Sequence, residues 1–329
     1  MLSRVADSVY WMSRYIERAE NVARFIDVNY NLTLGEGIPL STQWMPLVST
    51  TGDDELFREL YGEATGENVM QFLAYDTRNP NSIYSCISAA RENARTIRET
   101  ITAQMWKHIN EFYLMVKSNA DESKALSEPN YFCDQVKLAS HTLLGLTYGT
   151  MSHGEPWHFS RLGRLLERAD KTSRLVDVQY YLLLPKAEDV GTSVDVVRWS
   201  ALLRSASALT MYRRHYGRIT PNKVAEFLIL NHEFPRSIMH CLMLMATSLN
   251  KITGSGERFF SCHSEQLLGR LGTDINYTTI ENVIEEGIHN FIDRFQTRLN
   301  EIGLALQEDF FTPLATESAS PQSQTQSSS

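Results

Sequence analysis

One segment of this chain occurs twice. Residues 15–34 read YIERAENVARFIDVNYNLTL, and residues 165–184 read LLERADKTSRLVDVQYYLLL. At an offset of 150, nine of the twenty positions are identical, and most others are near-equivalents, such as Glu20 with Asp170 and Ile26 with Val176. A self-match at a fixed offset constrains architecture before any local reading does, because both copies must form the same supersecondary unit. After a loop five residues longer in the second copy, the match resumes at an offset of 155. Trp44 aligns with Trp199, Tyr61-Gly62 with Tyr216-Gly217, Phe72-Leu73 with Phe227-Leu228, Pro80 with Pro235, and Cys86 with Cys241. The spacing predicts an all-α helical bundle of two pseudo-symmetric tandem copies of one multi-helix unit. Residues 1–150 form the first copy and 151–311 the second, packed on the first as one compact domain. Residues 312–329, rich in Ser and Gln, read as a disordered tail.

The duplicated segment is helical. No Gly or Pro lies between Val9 and Leu34, and the apolar residues follow the helical period. With Glu17 at zero and about 100° per residue, Met12, Tyr15, Ala19, Val22, Ala23 and Ile26 share the far side. Ser13, Arg14, Glu20, Asn21, Arg24 and Asp27 gather around Glu17. Glu20 with Arg24 and Asp170 with Arg174 are acid-to-base pairs in the favourable i,i+4 order. Arg18 and Arg168 sit at the border of the apolar face, where a guanidinium must stretch along apolar surface to an acceptor. A single helix of this kind usually presents a solvated face laced with weak ion pairs. The duplication favours a polar network shared where the copies meet, since exposed pairs would not require both copies to keep Glu, Arg, Arg and Asp. Its expected members are Arg14, Glu17, Arg18, Arg24 and Asp27 with Arg164, Glu167, Arg168, Arg174 and Asp177.

Each copy then predicts a short helix after Trp44 or Trp199 and another after Thr65 or Thr220, both sensible N-caps. Asn79-Pro80 and Phe234-Pro235 interrupt the pattern. A long helix follows from Ser82 to about Asn119, with Ile83, Ile87, Ala90, Ala94, Ile97 and Ile101 as its apolar stripe. Its counterpart runs from Ser237 to Thr253, apolar nearly all round and so expected to be central. A polar connection at 121–130 leads to a helix over 131–150, matched loosely to 279–306.

A net charge of −8 argues against broad nucleic-acid binding, although Arg204, Arg213, Arg214 and Arg218 make a local basic patch. The four cysteines show no metal or redox spacing. No apolar run is long enough to span a bilayer, and Met1 leads directly into an amphipathic helix, so a cytoplasmic location is expected. Glu17 and Glu167 are the candidate catalytic pair if a pseudo-twofold axis brings them together. A di-metal bundle site needs Glu-x-x-His, and Glu20 and Asp170 occupy the His positions, so no metal or other cofactor is expected. The arginines suit a phosphate or carboxylate held by forked hydrogen bonds. His153, Glu155 and His158, in the linker before the second motif helix, have a spacing that could supply metal ligands, although loop histidines usually have no such role.

The opening stretch MLSRVADSVYWMSRYIERAEN and the second LERAD carry a resemblance. The chain resembles the alpha-E domain family, helical proteins of bacteria and archaea named for their Glu-Arg motif. The resemblance covers all but the tail and points to Glu17, Arg18, Glu167 and Arg168. Members typically occur beside a circularly permuted ATP-grasp ligase and a transglutaminase-like cysteine peptidase. That company implies a non-catalytic subunit or adaptor of a peptide or amide ligation system, binding the ligase or its peptide substrate. An enzyme using the paired Glu-Arg motifs, or a purely structural scaffold, are the alternatives.

Overall fold

A computed structural model describes residues 1–33, 44–183, 193–256 and 260–312, and every regular element among them is helical. Two long helices organise the rest: α1 (Ser3–Thr33) and α9 (Glu155–Leu183), which pack along each other. They pack tightly at Gly163, where a Cβ would lie 2.3 Å from the carbonyl oxygen of Tyr10. Only a residue without a side chain permits that crossing. Beside it the hydroxyls of Ser13 and Ser160 share a hydrogen bond of 2.8 Å.

Between the long helices the chain forms α2 (Met45–Thr51), α3 (Asp54–Tyr61), α4 (Gly66–Ala74), α5 (Ile83–Thr96), α6 (Ala103–Asp121), α7 (Lys124–Ser127) and α8 (Pro129–Thr150). After α9 come α10 (Ser193–Ser205), α11 (Leu209–Tyr216), α12 (Pro221–Leu230), α13 (Ile238–Thr253), α14 (His263–Asn276), α15 (Ile280–Glu286) and α16 (Ile288–Leu306), closed by a π-turn at Gln307–Phe311. α1 also packs on α5 and α8, and α9 on α13 and α16. The two long helices are thus surrounded. Val9, Ala19, Val22, Ala23 and Ile26 of α1 are fully buried, as are Leu162 and Ala169 of α9.

Local sequence explains most boundaries. Thr65, Ser82, Thr102 and Ser237 each accept a hydrogen bond from the backbone N–H three residues on, which satisfies an orphan donor of the helix that follows. Thr220 makes no such bond, and Pro221 opens α12 instead. Gly62 and Gly217 end α3 and α11 at φ of +70° and +68°, a conformation strained for any residue with a Cβ.

Several expected boundaries are corrected. The helix expected over 82–119 is two helices. The β-branched run Thr96-Ile97 and Thr100-Ile101-Thr102 weakens the helix, and Thr102 caps a new one. Ile97 and Ile101 remain buried, so the apolar stripe continues around the corner. Trp199 lies inside α10 rather than ahead of it, and α3 and α11 are additional elements. The connection at 121–130 contains α7, and 279–306 is split at Gly287, whose φ is +88°. α13 is buried along one side only: Met243 and Thr247 are exposed and Leu244 is half-buried. The break at 35–39, the stop at Pro185 and the tail from 313 onwards lie outside the described residues. No helix among the described residues is long and apolar enough to cross a membrane.

Candidate functional site

The α1–α9 crossing sets the two Glu-Arg motifs against each other. Glu17 and Glu167 are 2 % and 0 % exposed. Arg168 grips Glu17 with a fork, Nε to Oε1 at 2.8 Å and Nη2 to Oε2 at 2.8 Å. Reciprocally, Arg18 grips Glu167 through Nε at 2.7 Å and Nη2 at 3.0 Å. Parallel N–H···O⁻ bonds of this kind are strong and fix orientation. The border position of Arg18 and Arg168 on the helical wheel is what lets each reach the carboxylate opposite.

The two carboxylates then recruit different further cations. Glu17 accepts from Arg236 at 3.1 Å and from Asn21 at 3.2 Å, and Arg236 also donates to Asn21 and Glu20. Glu20 in turn holds both Arg24, at 2.7 Å, and the hydroxyl of Ser140, at 2.7 Å, with His141 at 3.2 Å. Glu167 accepts instead from Arg14 at 2.9 Å, with Lys171 at 3.8 Å. Asp170 is shared by Lys171 and Arg174 at 3.1 Å each. The free arm of Arg18 donates to Asn81, which donates to Asp53. Arg14 lies over the Trp11 ring at 4.7 Å, which shields it from water on one side.

Ionisation follows from these contacts. Burial alone pushes the Glu17 carboxyl up, but Arg168 and Arg236 outweigh it and hold it below the ordinary Glu value. Burial likewise opposes Glu167, where Arg18, Arg14 and Lys171 prevail and keep it low. Glu20 and Asp170 are lowered against burial too, by Arg236 and by Lys171 respectively. Arg168 is raised by Glu17 despite its burial. Arg236 is the weak member: burial, and then the neighbouring Arg168, bring it down to about 10. A proton-transfer group works best with a pKa near the working pH. Glu17 and Glu167 are both held ionised well below neutrality, without solvent contact.

The remaining expected residues divide. Arg24 and Arg174 belong to the lattice through Glu20 and Asp170. Asp27 pairs instead with Lys137 of α8 at 2.8 Å, and Asp177 with His289 of α16 at 2.7 Å. These two aspartates tie the long helices to their outer neighbours rather than to each other. Arg164 has no carboxylate within ion-pair distance among the described residues, and donates only to the Tyr148 hydroxyl at 3.3 Å. His153 stacks on Trp157, Glu155 pairs with the N-terminal amine, and Glu155 and His158 belong to the first turns of α9 rather than to a linker. No group of three or more His, Cys, Asp or Glu among the described residues is placed to hold a metal ion.

Arg236, Lys171, Asn81, Ser140 and His141 are the lattice members that the sequence reading missed. A signal for one existed, since Arg236 follows the aligned Pro235 and stands at the position matching Asn81. Where one side of the crossing draws its extra cation from the loop (Arg236) and an amide from the helix (Asn21), the other does the reverse with Asn81 and Lys171.

A family model described as Alpha-E, a predicted alpha-helical domain with a conserved ER motif, matches residues 1–311. Uncharacterized proteins of Mycobacterium bovis and Mycobacterium tuberculosis are each 21 % identical over 301 residues. The alignment covers 86 % of this chain but only 33 % of each relative, so the chain spans about a third of their length. No solved structure matches it.

Proposed function

The chain belongs to the Alpha-E family, and from that premise we propose that it is a non-catalytic binding module of a peptide or amide ligation system. The observation that carries this reading is the saturation of the motif. Both motif glutamates are enclosed, ionised and fully engaged by arginines of the opposite long helix. Such groups hold two helices in register; the cavity that Glu17 lines is only about 40 Å³, and neither carboxylate has a proton to exchange near neutral pH. The glutamates and arginines therefore act as the keystone of the fold, and binding falls to the outer surfaces that the keystone positions. A matching region that makes up a third of longer chains is what a module serving other domains looks like.

We further read the bundle as two copies of one unit about an internal pseudo-twofold axis, 1–150 and 151–311. Support comes from reciprocal contacts at the 150-residue offset: Tyr10 with Gly163 and Ser13 with Ser160, Glu17 with Arg168 and Arg18 with Glu167. An isologous contact has that form, i to j and j to i. The helix order agrees, α1 to α8 running parallel in kind to α9 to α16.

The partner that the Glu-Arg resemblance suggests is an ATP-grasp-type ligase, with a transglutaminase-like peptidase as a possible second. Affinity purification of the tagged chain from its native host with mass spectrometry tests this. Recovery of the ligase supports the adaptor. Absence of any ligase, with Glu17→Gln and Arg168→Gln costing melting temperature and nothing else, would leave a scaffold. Turnover by the isolated chain, lost in Glu167→Gln at unchanged stability, would instead make it an enzyme.

A further inference from the structure

One guanidinium at the crossing is left over, and it faces a cleft. The cavity, of about 480 Å³, lies between α8, α9 and the start of α13. Leu144, Leu165, Leu244 and Pro235 form its apolar walls, and Tyr148, Arg164, Arg168, His141 and His240 supply its polar groups. No carboxylate is part of this lining. Arg168 is already committed, through Nε and Nη2 to Glu17 and through Nη1 to the Pro235 carbonyl. Arg164 is not: beyond the Tyr148 hydroxyl it has no partner among the described residues. At the matching position in α1, Arg14 spends its charge on Glu167, whereas on this side Arg236 takes the corresponding place at Glu17 and displaces Arg164 from the lattice.

We propose that this cleft binds the free C-terminal carboxylate of a peptide that ends in an apolar residue. The carboxylate is held by the Arg164 fork beside the Tyr148 hydroxyl, and the terminal side chain lies against Leu144, Leu165, Leu244 and Pro235. A monoanion matches one uncommitted guanidinium, while a phosphate dianion would want a second, and the apolar walls have no use in phosphate binding. The proposal rests on the ligation-module reading and deepens it, because the group recognised is the one an amide ligase activates.

The test uses the intact chain and the peptide acetyl-Ala-Leu, as the free acid and as the C-terminal amide, titrated by ¹⁵N NMR. The free acid should shift the Gly145 and His240 resonances to saturation, and the amide should bind at least tenfold more weakly. Arg164→Gln should weaken the acid at least tenfold at an unchanged melting temperature. Gly145→Trp should block binding by filling the cleft, since a Cβ there meets nothing within 4 Å. Equal binding of acid and amide, or inorganic phosphate competing at equal or lower concentration, would overturn the proposal; the amide comparison needs no variant and stands even if a variant fails to fold. If the chain recovers the ligase but ignores the peptide, this inference fails while the module reading survives; the reverse result separates them the other way.

Discussion

Replacing Glu17 by Gln tests the keystone directly. The substitution keeps the side-chain shape but removes a charge that two arginines share, each with a side chain only 8 % exposed. Arg236 retains Glu20, but Arg168 would be left with the Pro235 carbonyl at 3.3 Å and a neutral amide oxygen. Removing one partner of a buried pair costs about 3–5 kcal/mol, because the other charge stays buried without compensation. The amide oxygen still accepts one bond, which returns about 1 kcal/mol. The expected loss is therefore about 2–4 kcal/mol. The measurement is urea unfolding at pH 7 followed by circular dichroism, with Glu286→Gln as control. The Glu286–Arg294 pair is largely exposed, and its loss should cost about 0–1 kcal/mol. In a double-mutant cycle, Glu17→Gln with Arg168→Gln should recover about 1–3 kcal/mol of coupling. If Glu17→Gln costs no more than the control, the lattice is solvated and the reasoning from burial is wrong.

Three more outcomes are expected. Gly163→Ala should destabilise by about 1–3 kcal/mol, even though Ala favours helix over Gly by about 1 kcal/mol, because its methyl must displace the Tyr10 carbonyl; a rise in melting temperature would show that the crossing is looser. Acid sensitivity should be marked, with a definite sign: Glu17, Glu20, Glu167 and Asp170 all have lowered folded pKa values, against ordinary values of 4.5 for Glu and 3.8 for Asp. Their stabilisation is complete above the unfolded values and is lost as pH falls through the folded ones, so the urea midpoint should hold from pH 7 to about 5 and fall steadily below; a midpoint flat to pH 3 would contradict this. Burial pushes the thiol of Cys86 up to about 12 and that of Cys241 up to about 11, and Cys133 is also buried. A thiol reagent should therefore modify only the partly exposed Cys262 in the native protein and all four cysteines in urea; four fast native reactions would refute the burial.

The sequence carried the long helices well, because twenty aligned residues impose a period that chance does not. It also carried the four forked residues, since a charge at the border of an apolar stripe has few acceptors other than one across the packing interface. The helical wheel alone left open whether the face around Glu17 meets water, and only the duplication favoured an enclosed network. A wheel reports which residues share a side, not whether that side meets water, and around Glu17 the neighbours α5, α8 and α9 pack against α1. Arg236 was out of reach of helical periodicity because it stands on a loop, and only the fold brings residue 236 beside residue 17. The break after Thr96 escaped because burial of Ile97 and Ile101 preserved the apolar spacing through a turn where the helical hydrogen bonds do not. Asp27 and Asp177 shared the motif spacing yet lie far enough along their helices to meet different neighbours.

The reciprocal forks have a consequence for how such a chain can be divided. Severed in the exposed turn at residues 152–154, each fragment would carry a glutamate whose neutralising arginine resides on the other. Each piece would expose the face that the other covers and lose the main arginines of its glutamate, so neither should be stable alone. Together they hold complementary locks, and co-expression should restore what separate synthesis cannot.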